Sequence, residues 1–215
     1  MSQQDKTGVT TMRIIDMAMG VNLSAFPKSR TAEQFSEKAD DLYNYCSKHV
    51  EEVLSLSDND GYHTGMAFFN IISRLKESER EEKYSYDDKK LKFSLYCSVI
   101  CLWKGIQMGT MQSCIAADTL IHTIDNYKDK FFVKIFMQLT GFSLGEMLEH
   151  DSEDLKKRIE TIYKHIKYYL IQITRADDAF KDANIEACKK GERYLNAMCD
   201  CIKDILNAYC SIGML

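Results

Sequence analysis

The sequence predicts an all-α protein: a helical bundle of about seven to nine helices, with a central buried helix and a long C-terminal helical pair. Three observations carry that expectation. Pro27 is the only proline in 215 residues, and a chain dominated by helices can dispense with a residue that removes an amide donor and clashes in helix interiors. Glycine occurs only 10 times, too rarely for the tight turns of a hairpin-rich β fold. Apolar residues recur at alternating intervals of three and four through most of the chain, and no run shows the period-two alternation of a half-buried strand.

A first short helix is expected over about residues 9–19, closing near Gly20, with a turn around Pro27. Thr31 and Gln34 then form a capping box, T-A-E-Q. Behind it Phe35, Ala39, Leu42, Cys46, His49, Val53 and Leu56 follow a 4-3-4-3 spacing, one stripe of a helix of roughly six turns. Ser57-Asp58-Asn59-Asp60-Gly61 reads as its stop, since Asn, Asp and Gly tolerate turn conformations. A third helix is expected from about Thr64 to Lys83, with Met66, Phe68, Phe69, Ile72 and Leu75 toward the core and E-S-E-R-E-E-K in solvent. Ser85-Tyr86-Asp87-Asp88 looks like the next cap. The following helix, about 87–107, contains F-S-L-Y-C-S-V-I-C-L-W, and a helix without a polar face belongs in the middle of a bundle. Two shorter helices are expected near 110–126 and 129–140.

The C-terminal third is the most regular. Leu155, Ile159, Ile162, Ile166, Tyr169, Ile173, Ala176 and Phe180 keep a 4-3 alternation, and Leu195, Cys199, Ile202, Leu206 and Tyr209 repeat it. The chain therefore divides into residues 1–150, a helical bundle, and 151–215, heptad-patterned helices packed on the same domain. Whether the latter is one helix or two meeting near Lys181–Asn184 is not fixed by any strong breaker, and the reading favours a bend or turn. Such stripes pack against a partner helix within the bundle or across an oligomer interface.

Composition bounds the function. Hydrophobic residues at 45% and charged residues at 28% suit a globular domain with a full core. A net charge of −4 gives no broad basic footprint, so nucleic acid is an unfavoured partner on charge. The longest apolar stretch, Phe93 to Trp103, falls well short of the roughly 20 residues of a bilayer span. The N-terminus has no uninterrupted apolar core of a secretory signal. Eight cysteines in a chain of this length then read as small apolar residues in a reducing cytosol, and a cytoplasmic location is expected. No C-x-x-C pair, the spacing that marks a zinc site, occurs.

Several constellations could carry chemistry. Gly141-Phe142-Ser143-Leu144-Gly145 matches G-x-S-x-G, the pattern that sets a nucleophilic serine on a strand-to-helix turn. Its upstream segment, F-F-V-K-I-F-M-Q-L-T, reads as helix, so Gly141 is expected to close one helix and Ser143, with Glu146, to cap the next. Glu146 and His150, four apart, could share a metal, as could Asp118 and His122. A di-iron bundle requires paired E-x-x-H motifs, and none is present. Asp177, Asp178 and Asp182 form an acidic group, Asp40-Asp41 another. Acids on facing helices are how all-α enzymes hold Mg²⁺ against diphosphate, yet D-D-x-x-x-D is one residue too long for the usual aspartate-rich motif. Charge runs are more often solvated faces. His49 on an apolar stripe is more often a satisfied core histidine than a ligand. Phosphate-binding glycine motifs are absent.

The leading functional expectation is a non-enzymatic assembly or interaction protein that uses its C-terminal helices to contact a protein partner or a second copy. No cofactor and no catalytic residue are expected. The alternatives are an all-α Mg²⁺-dependent enzyme on diphosphates or nucleotides, drawing on Asp40, Asp41, Asp118, Asp177, Asp178 and Asp182, and a DNA-binding or packaging accessory with a helix-turn-helix between residues 30 and 83. Phosphate contacts in the last would make binding salt-sensitive.

Overall fold

A computed structural model describes residues 3–25, 32–80, 88–141, 152–175 and 182–211. The expected turn at Pro27 and the caps at Thr31, Ser85 and Ser143 lie outside them, as do the stripe positions Ala176 and Phe180. Among the described residues there are nine α-helical segments and no strand: α1 (Gln3–Ser24), α2 (Ala32–Cys46), α3 (Val50–Leu54), α4 (Asp58–Arg80), α5 (Asp88–Ile106), α6 (Met111–Tyr127), a π-helical turn (Lys128–Phe132), α7 (Val133–Leu139), α8 (Ser152–Thr174) and α9 (Ile185–Ser211). The all-α bundle is as expected.

The expected central helix is α5. From Phe93 to Leu102 every side chain is buried, including Ser94 and Ser98. It is walled by α4, α6, α9 and α3. The α4 wall stands unusually close. A Cβ on Gly65 would lie 2.8 Å from the Leu102 amide nitrogen, one on Gly61 3.2 Å from the Cys101 carbonyl, and one on Gly105 3.0 Å from Tyr62 Cβ. Helices can approach to this distance only where side chains are missing. Ser98 Oγ closes the contact by donating to the Gly65 carbonyl at 3.3 Å.

Four boundaries differ from expectation, each for a local reason. Gly20 does not end α1, which continues to Ser24; the glycine instead makes room for Lys38, whose Nζ would sit 3.2 Å from a Cβ there. The second stripe breaks after Cys46. Amides of Lys48 and His49 turn back to Tyr45 and Cys46, and the break shifts the phase by one residue. Val50 replaces His49 in the core, while His49 stacks on Tyr45 with ring centroids 4.4 Å apart. Ser57-Asp58-Asn59-Asp60-Gly61 is a start, not a stop: Ser57 Oγ accepts the Asp60 amide at 3.3 Å, an N-cap that opens α4 at Asp58. Finally, α6 and α7 are not separated by a loop but joined through the π turn.

The C-terminal third consists of two helices, α8 and α9. Asn184 starts the second by accepting the Ala187 amide on Oδ1 at 3.1 Å, and its own amide donates to the Tyr168 hydroxyl at 2.9 Å. Ile162 and Ile166 on α8, and Leu195, Cys199, Ile202 and Leu206 on α9, are buried. These buried residues pack α8 and α9 on each other and on α5, α6 and α7.

Candidate functional site

A polar cluster at the π turn and the outer face of α1 stand out on the described surface, beside a shorter exposed apolar pair, Met111 and Ile115, on α6.

The cluster is built by α6, the π turn and α8. A π turn holds one residue more than an α turn, which rotates the chain by roughly 100° and puts Phe132, rather than Phe131, into the core. Tyr96 on α5 donates its hydroxyl to the Phe131 carbonyl at 3.3 Å. One turn earlier, Asp125 faces α8. Its carboxylate accepts from the Tyr163 hydroxyl on one oxygen and from Lys167 Nζ at 2.6 Å on the other. Lys128 lies 4.7 Å from the centroid of the Tyr163 ring, and the far edge of that ring meets Phe136. Burial pushes the Asp125 carboxyl upward, but the hydrogen bonds from Lys167 and Tyr163 and the lysine charges outweigh it, leaving the carboxyl below its ordinary value. Tyr163 is pushed well up, first by burial and then by the Asp125 hydrogen bond and charge. A tyrosine held protonated by a carboxylate, with that carboxylate paired to a lysine, is arranged for structure rather than for a base or a nucleophile. The cluster is a latch between α6 and α8.

The latch has a pH signature. Because the folded carboxyl titrates below the unfolded value of 3.8, its contribution is present above that pH and is lost as pH falls through the depressed folded value. The urea midpoint of the native protein should therefore drop on acidification more steeply than that of Asp125→Asn below about pH 4. Equal slopes for the two proteins would remove the latch from the acid-stability account.

The sequence candidates for metal or acid chemistry fall apart in space or lie outside the described residues. Glu146, His150, Asp177 and Asp178 are outside. Asp118 and His122 do meet, at 3.8 Å, but both are exposed on α6 with no third ligand. Asp182 is exposed in the bend before α9. Asp40 pairs with Lys90, and Asp41 is exposed beside it on α2. Among the described residues no three of His, Cys, Asp and Glu group as a metal site would need, and none of the Mg²⁺ alternative's described acids converge. Gly141 closes α7 at φ +76°, the left-handed conformation of a helix stop, and the segment before it is helical. The seven described cysteines are free thiols. No helix among the described residues is long and apolar enough to cross a membrane.

The outer face of α1 was not singled out from the sequence. The helix seats on α4 and α2 through Ile14, Ala18 and Val21, all fully buried. Asn22 fixes that seating, donating to the His63 carbonyl at 2.9 Å and accepting from Asn70 at 3.0 Å. On the opposite side Val9 is 58% exposed, Met12 66%, Met19 39% and Leu23 56%. With Asp16 these residues follow 3-4-3-4 spacing, a complete heptad stripe turned outward. The signal was legible as spacing, but an apolar residue on a short helix is ordinarily assigned to the core, and α1 carries apolar residues on both faces. Comparison with protein-family models, with curated proteins and with solved structures finds no match.

Proposed function

We propose that this is a non-enzymatic interaction protein whose docking surface is the outer face of α1. The carrying observation is the heptad stripe of Val9, Met12, Met19 and Leu23, exposed on a helix whose other face is already anchored in the core. Isolated apolar side chains are normal on any surface, but four exposed ones aligned on one helix face mark a contact site. The C-terminal helices, which the sequence offered as the contact surface, bury Ile162, Ile166, Leu195, Cys199, Ile202 and Leu206 within the chain, so this reading moves the interface to the other end of the sequence. Catalysis draws no support from the described residues.

Gradient sedimentation of a lysate from the source cells tests the reading. The native protein should sediment ahead of its 24.8 kDa monomer, and Met12→Glu/Met19→Glu should return it to the monomer position. A charge reversal on the outer face of α8, Lys156→Glu, should change nothing. A native protein that already runs as a monomer, or a double variant that still co-sediments with it, would reject the α1 interface.

A further inference from the structure

The α1 face specifies more than apolarity. At its centre, between Met12 and Met19, stands Asp16, exposed and with no ion-pair partner among the described residues. The nearest cation in sequence, Arg13, is turned away: its guanidinium sits 4.6 Å over the ring of Tyr45 on α2. From Val9 to Leu23 the stripe runs about 21 Å at 1.5 Å per residue, four turns with a single carboxylate in the middle.

That carboxylate discriminates among occupants. A lipid surface would have to take a charge into its apolar region, which carries a large desolvation penalty. A second copy fares no better. The stripe is nearly symmetric about Asp16, so an antiparallel pair centred on it sets Asp16 against Asp16, and a parallel pair in register does the same. Like charges juxtaposed in an interface are strongly unfavourable. A helix with apolar residues at the same spacing and one lysine or arginine opposite Asp16 turns the penalty into a pairing. A single polar or charged position within an apolar seam is also what fixes register and partner choice in helix pairs.

Resting on the interaction reading above, we infer that the partner is an amphipathic helix from another protein, with a 3-4 apolar stripe interrupted by one basic residue that pairs with Asp16.

Fluorescence anisotropy with the full chain and three synthetic helical peptides tests this. The peptides share a leucine stripe and differ only at its centre: Lys, Leu or Glu. The Lys peptide should bind about tenfold more tightly than the Leu peptide, equivalent to about 1.4 kcal/mol, and the Glu peptide most weakly. Asp16→Leu should abolish the Lys preference, and added salt should reduce it for the native chain. If all three bind equally and Met12→Glu/Met19→Glu blocks them all, the α1 interface stands and the charge inference falls. If none binds, or the double variant binds as the native chain does, the interface itself falls. Self-association of the purified protein that the double variant abolishes, or stable binding to vesicles of anionic phospholipid, would replace the partner helix with a second copy or a membrane and overturn the inference.

Discussion

Gly191→Ala should lower the melting temperature by about 10 °C, the largest effect expected of any single methyl group in this protein. A Cβ at that position would lie 2.2 Å from the His165 carbonyl oxygen and 2.6 Å from Tyr169 Cβ. Neither obstacle is a mobile side-chain end. One is backbone in the middle of α8 and the other is fixed to it, so the two helices must separate, opening the seam lined by Ile162, Ile166, Leu195 and Cys199. Overpacking of this kind costs about 3 kcal/mol, and in a chain of this size each kcal/mol moves the melting point by about 2–4 °C. Gly8→Ala is the control. Nothing lies within 4 Å of a Cβ there, so the exposed α1 position should gain up to about 1 kcal/mol from the better helix former. Differential scanning calorimetry of the two variants should move the melting temperature in opposite directions. A Gly191→Ala protein as stable as the native one would mean that α8 and α9 are not in contact at this position.

Phe132→Ala should cost about 3–5 kcal/mol, the range for a buried phenylalanine, whereas Phe131→Ala should cost about 1 kcal/mol. The difference reads the register of the π turn directly. An uninterrupted α-helix carrying Leu120 and Ile124 on its buried face would next bring positions 127 and 131 to that face. The extra residue of the π turn sends Phe132 inward instead, fully buried, with Ile135 and Phe136 following it. Urea unfolding of the two variants would show the asymmetry, and equal losses would contradict the π register.

What the sequence revealed and what it hid follow from the range of the interactions involved. The centrality of α5 was legible because burial on all sides leaves no polar position, and F-S-L-Y-C-S-V-I-C-L-W carries that by composition. The C-terminal stripes were legible as spacing, though not their destination, since a heptad pattern looks the same whether its partner is in the same chain or another. Local breaks were illegible where one motif serves two ends: Ser57 to Gly61 has the composition of a helix stop and of a helix start, and only the Ser57–Asp60 hydrogen bond distinguishes them. The stripe through His49 failed by a single residue because the break after Cys46 advances the phase. Gly61 reads as part of a turn when its role, shared with Gly65, is to admit α5. The Asp125 latch joins residues 38 and 42 positions apart, a distance at which no spacing rule operates. The acid and histidine pairs at i and i+4 illustrate the converse: Asp118 and His122 are neighbours on a helix, as spacing requires, but neighbourhood on an exposed face creates no site.

The walls around α5 also impose an order on synthesis. Its apolar surface emerges from the ribosome more than a hundred residues before Leu206, the last buried residue of α9. At about 5–20 residues per second, the side of this buried helix that α9 covers therefore stays open for roughly 5–20 s in every round of translation. During that interval α4, already made and fitted to it through Gly61 and Gly65, and then α6 are available to cover it. Substitutions at these glycines should therefore reduce the yield of soluble protein beyond what their effect on the folded state accounts for.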